Sequence, residues 1–144
     1  MKDDCVFCAI VAGRVPARVL LETEHACAFL DAGPAADFHA LVVPRAHYRD
    51  LFAIPRDVLG HTMDAAKTLA DEMRRRFGIE HVQLFQSSGA EAQQEVFHFH
   101  VHLVPRRAGD GQDVRWRSDP ARVRNLDRTL ERWRAVRRRG DASS

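Results

Sequence analysis

Apolar residues recur along the chain with two different periods, and the change of period marks its elements. Val19–Glu22 and Ala26–Asp31 are short runs around a turn at Glu24-His25, the pattern of two paired strands. Ala40–Pro44 is a third run, closed by proline. Over residues 55–77 the pattern becomes helical. Leu59, Met63, Ala66, Ala70, Met73 and Phe77 are spaced 4, 3, 4, 3 and 4 apart, which gathers them on one helix face. Pro55 suits the first turn and Gly78 the stop. Arg74, Arg75 and Arg76 suit the negative end of the helix dipole. Val82–Gln86 and Phe97–Val104 return to strand character, with the polar loop Ser87–Glu95 between them. Three strands, a helix and two strands predict an α+β fold: a mainly antiparallel five-stranded sheet with one long helix.

After Pro105 the pattern thins. Residues 120–139 predict a basic helix with Val123, Leu126, Leu130 and Trp133 on one side. We therefore expect a domain over residues 1–112 and a basic C-terminal extension over 113–144, partly helical with a disordered end. The net charge of +2 hides this division. The extension holds ten Arg against five acids, whereas residues 1–112 carry three more acids than bases. Arg interleaved with Trp116 and Trp133 can read nucleic acid. A solvated amphipathic helix accounts for the same residues, and no nucleic-acid partner is expected.

No apolar run reaches the roughly 18 residues of a membrane span. The start, Met1-Lys2-Asp3-Asp4, has no charged-then-apolar leader, so the expected location is cytoplasmic. In that setting three cysteines do not suggest a disulfide framework. Cys5 and Cys8 have the two-residue gap that lets two thiolates reach one metal, while Cys27 reads as buried filler.

The most specific chemistry lies in His98-Phe99-His100-Val101-His102. On a strand the three histidines share one face, about 6.6 Å apart, and Phe99, Val101 and Leu103 enter the core from the other. A solvated face rarely carries three histidines at period two. The spacing alone does not choose between a metal site and phosphate chemistry.

These residues, continued by Leu103-Val104, resemble the motif of the histidine-triad superfamily. The resemblance spans Cys5–Arg106. It includes Phe29-Leu30-Asp31, His39 before Leu41-Val42-Val43-Pro44, His47, and Gln94-Glu95-Val96-Phe97 before the triad. It implies cleavage at the α-phosphate of a purine (AMP-type) nucleotide, either a nucleoside phosphoramidate or a dinucleoside polyphosphate. By resemblance His100 is the nucleophile and forms a nucleotidyl-histidine, with His102 and His39 as donors to the phosphate. Asp31 matches the position that binds the ribose hydroxyls, and Phe29 and Ile10 match the walls around the base. Ser87, Gln94 and Val96 complete the nucleotide contacts. Zinc-binding members imply structural zinc held by Cys5, Cys8, His47 and His98. A homodimer formed through the long helix and the adjoining strand edge is also implied.

The chain departs from the family pattern at several positions. Ser87 stands where Asn is common, Gln93 where Gly is common, and Phe38 where a small residue is common. Gly tolerates backbone shapes that Gln does not, and Ser88 offers a neighbouring hydroxyl to compensate for Ser87. These departures bear on substrate choice. They leave open a second function class, a nucleotide-binding regulatory protein with little turnover.

Overall fold

The computed structural model describes the backbone of residues 2–141 and side chains as far as residue 136. Contacts divide the chain into two compact units, Met1–Gln112 and Asp113–Ser144. The first unit holds α1 (Val6–Val11), β1 (Val19–Glu22), β2 (Ala26–Leu30), β3 (Ala40–Pro44), α2 (Arg56–Phe77), β4 (Val82–Phe85) and β5 (Val101–Pro105). The five strands form one antiparallel sheet in the order β1-β2-β3-β5-β4. The α+β expectation therefore holds. Among the described residues no helix is long and apolar enough to cross a membrane.

The sheet places apolar side chains on both faces. Ala26, Ala28, Ala40, Val42 and Leu103 face α2 and pack on Ala65, Ala66, Leu69 and Met73. Cys27, Phe29, Leu41 and Val43 turn to the other face and pack against Phe7 and Cys8 of α1. Burial on both faces explains why β2 and β3 read as continuous apolar runs.

The helix α2 stops at Gly78, whose φ of 66° is the left-handed geometry that favours glycine. Its buried stripe coincides only in part with the one the spacing predicts, in Ala66 and Met73, with Leu59 and Ala70 partly buried. Met63 and Phe77 are 38% and 57% exposed, and the hidden residues are Thr62, Ala65, Ala66, Leu69 and Met73. Thr62 enters the core because its hydroxyl donates to the Val58 carbonyl at 2.8 Å. That bond meets its polar requirement inside the helix.

Two further differences concern the histidine segment and the extension. The last strand begins at Val101, not Phe97. Its partner β3 ends at Pro44, which has no N–H to donate. The Pro44 carbonyl accepts from His98 Nε2 at 2.8 Å, and the Phe99 N–H donates to the Tyr48 carbonyl at 2.6 Å. Backbone pairing is thus replaced by side-chain and loop bonds. In the second unit the expected single helix is two, α3 (Pro120–Arg124) and α4 (Leu126–Asp141), with Asn125 between them. Val123, Leu126, Leu130 and Trp133 are exposed. The expected disordered end lies outside the described residues.

Candidate active site and metal centre

Although β5 is short, the triad histidines still follow one another in space. The Phe7 ring sits edge-on to both His98 (5.9 Å between centroids) and His100 (5.2 Å). His100 is 5.2 Å from His102. His98 is fully buried and His100 nearly so.

The partners of His100 define its chemistry. His100 Nδ1 lies 2.7 Å from the His98 carbonyl oxygen. A carbonyl only accepts, so Nδ1 carries the proton and Nε2 keeps its lone pair. His102 is the β5 residue opposite Leu41 on one side and Phe85 on the other. Its Nδ1 lies 3.0 Å from His39 Nε2, and Asp31 Oδ2 is 3.4 Å from the latter and 3.6 Å from the former. Burial, with the neighbouring His100 and His39 rings, pushes His102 down to about 4, so the ring is neutral near pH 7.

A cavity of about 680 Å³ opens beside these rings. Six of the residues named in the sequence analysis, Ile10, Phe29, Asp31, Val96, His100 and His102, border it. Arg18, Leu41, Gln93 and Glu95 border it as well, and the pattern of the chain gave no sign of Arg18 or Leu41. Three expected residues do not border it. His39 stands behind His102. Gln94 is buried, accepting from the Gly89 N–H and donating to the Arg49 and Val96 carbonyls, so it braces the loop. Ser87 contributes its carbonyl to the Gln86 side chain, and the Ser88 hydroxyl is taken up by the Leu51 N–H and Gln86. Gln93 has φ 71°, the left-handed region that the sequence comparison with Gly anticipates.

Cys5, Cys8, His47 and His98 form a separate cluster whose donor atoms lie within 4.8 Å of one another. His98 Nδ1 is 3.5 Å from both thiol sulfurs, and His47 Nδ1 is 3.4 Å from Cys8 Sγ. Sulfur and nitrogen ligands of tetrahedral zinc stand about 3.5 Å apart, from Zn–S of about 2.3 Å and Zn–N of about 2.0 Å. The tautomer also fits. His98 gives its Nε2 proton to Pro44, which leaves Nδ1 bare toward the thiols. Burial pushes His98 down to about 4, lowers His47, and raises the Cys5 thiol. Neutral imidazoles are what a metal requires, and a cation would offset the burial cost of the thiolate.

The fold and sequence are similar to those of known proteins. The family model of the HIT domain matches residues 12–109. The chain belongs to the HIT family. It is 37% identical over 123 residues to an uncharacterized HIT-like protein of Methanocaldococcus jannaschii, covering 85% of this chain and 92% of that one. It is 38% identical over 125 residues to adenosine 5'-monophosphoramidase HNT1 of Saccharomyces cerevisiae, covering 86% and 75%. A crystal structure of a Zn-bound histidine triad family protein from Mycobacterium smegmatis superposes on this HIT chain with TM-score 0.73 and 35% identity. It covers 81% of this chain and 84% of that one. Some HIT members are nucleotide hydrolases, as the yeast enzyme's name states.

Proposed function

We propose that this chain is a nucleotide hydrolase or transferase that cleaves at the α-phosphate of a nucleoside phosphoramidate or dinucleoside polyphosphate through His100. The observation that carries this reading is the 2.7 Å bond from His100 Nδ1 to the His98 carbonyl. It fixes the tautomer whose lone pair is on Nε2, beside a nucleotide-sized cavity. In the first step Nε2 bonds to the α-phosphorus as the P–N or P–O bond to the leaving group breaks, and the leaving group departs with a proton taken from solvent. In the second, water bonds to phosphorus, the P–Nε2 bond breaks, and the mononucleotide leaves with its proton lost to solvent. His102 and the backbone N–H groups near Val96 supply donors to the phosphate oxygens. Asp31 takes the ribose hydroxyls, and Phe29, Ile10 and Val96 wall a purine base.

Cys5, Cys8, His47 and His98 would hold a zinc ion that ties α1 to the triad segment. Four protein ligands leave no open position, so its role is structural. The chain pairs as a homodimer through α2 and the β4 edge, where Met63, Phe77, Val82 and Leu84 are exposed apolar residues. A reducing cytoplasm suits the three free cysteines.

The test is a panel of adenosine and guanosine phosphoramidates, dinucleoside polyphosphates and adenylyl sulfate, run on wild type and His100→Ala. Loss of turnover in the variant is expected, and wild-type turnover would overturn the reading. A regulatory nucleotide-binding protein would bind these compounds without releasing a burst of one nucleotide per subunit.

A further inference from the structure

Asp31, His39 and His102 bring two imidazole nitrogens and a carboxylate oxygen within 4.8 Å of one another beside the cavity. By residue type this is a second place for a cation. One backbone bond argues for a different use. The Ala35 N–H donates to His39 Nδ1 at 2.9 Å. A neutral imidazole has one lone pair and one N–H. If Nδ1 spends its lone pair on Ala35, Nε2 must carry the proton and has no lone pair for a metal. That Nε2–H faces His102 Nδ1 at 3.0 Å, with Asp31 Oδ2 at 3.4 Å as a weaker second acceptor. His102 must then accept at Nδ1 and carry its own proton on Nε2.

We propose that the Ala35 backbone N–H sets a tautomer relay through His39, so that His102 presents an Nε2–H donor at the reacting phosphate. His39 is in this account a positioning residue, not a group that touches substrate. The inference rests on the phosphate-transfer reading given above. The opposite tautomer of His102 would turn a lone pair toward anionic oxygen, which is repulsive.

The loop is built to hold Ala35 in place. The Asp31 N–H donates to the His39 carbonyl at 2.9 Å and the His39 N–H to the Ala36 carbonyl at 3.1 Å. The Gly33 N–H donates to Asp31 Oδ1 at 2.8 Å. Phe38 has φ 64°, a costly conformation for a bulky residue. Its ring stacks on Phe77 at 4.4 Å and so fastens the loop to the end of α2. A strained residue adjoining His39 is what a loop shaped around one N–H direction would need.

The decisive measurement is the protonation of the imidazole nitrogens by long-range 1H–15N NMR on the zinc-loaded full chain near pH 7. The expected result is a bare Nδ1 on His39 and a protonated Nε2 on both His39 and His102. A proton on His39 Nδ1 would overturn the relay. Variants add a second readout. In His39→Ala, His102 should become a mixture of tautomers and kcat should fall about 100-fold, with KM changed much less. His39→Gln keeps an N–H donor on the side chain and should recover at least about tenfold of that loss. An unchanged His102 tautomer in His39→Ala would mean that His39 is only structural. Metal-free protein titrated with cobalt should take one ion per chain, and a second ion coordinated at Asp31, His39 and His102 would also refute the relay. The NMR result needs no substrate, so it stands or falls apart from the activity panel. If His39→Ala fails to fold, the wild-type spectrum still decides.

Discussion

Replacing His98 by alanine separates the structural from the chemical role of the triad segment. The ring is fully buried and touches Phe7 and His47 edge-on. Its loss leaves the buried Pro44 carbonyl without its donor, which costs about 1–3 kcal/mol. The space left by the ring costs about 2 kcal/mol or more. Together these predict a loss of about 4 kcal/mol, or roughly 15 °C in Tm for a domain of this size. The zinc ligand set also falls from four to three. Yet the acceptor that orients His100 is the backbone carbonyl of residue 98, which alanine keeps. Turnover per folded molecule, measured well below the lowered Tm, should stay within about tenfold of wild type, a change of about 1.4 kcal/mol in the barrier. Urea titration, zinc analysis and phosphoramidate hydrolysis check the three parts. An unchanged Tm would refute the packing argument. A folded variant with turnover lost by several orders of magnitude would refute the division of roles.

Other outcomes follow from the same geometry. In metal-free protein His98 and His102 stay neutral down to about 4, whereas unfolded histidines protonate near 6.5. The unfolded chain therefore binds more protons between these values, and stability should fall as pH drops from about 6.5 toward 4. Equal urea midpoints near pH 7 and pH 5 would contradict this. Gln93→Gly relieves a left-handed φ and should raise stability by up to about 1 kcal/mol, read as the shift in urea midpoint. Cys5→Ser should abolish stoichiometric zinc and lower Tm, while chelator should lower the Tm of wild type and leave the variant unmoved.

Much of the fold was legible because its elements are long or strongly patterned. The hairpin of β1 and β2, strand β3 and helix α2 all sit where periodicity and end signals put them. The six-residue α1 did not emerge from the sequence, since so short a helix has no period to display; it is fixed by the Cys5 cap and the packing of Phe7 and Cys8. The late start of β5 was hidden because the proline that ends pairing is on another strand, far away in sequence. Thr62 was passed over because its residue type signals polarity while its internal bond removes it. The triad was legible from residue types alone. The link from His39 to His102 spans 63 positions and depends on a loop N–H, so no local pattern could display it.

The proposed reaction turns on a covalent bond from His100 to phosphorus. The most direct measurement is mass spectrometry of wild type and His100→Ala after rapid mixing with adenosine phosphoramidate and an alkaline quench that preserves the P–N bond. One nucleotidyl group per subunit is expected on the peptide carrying His100, and none in the variant. Steady turnover with no adduct, or an adduct that persists in His100→Ala, would contradict it.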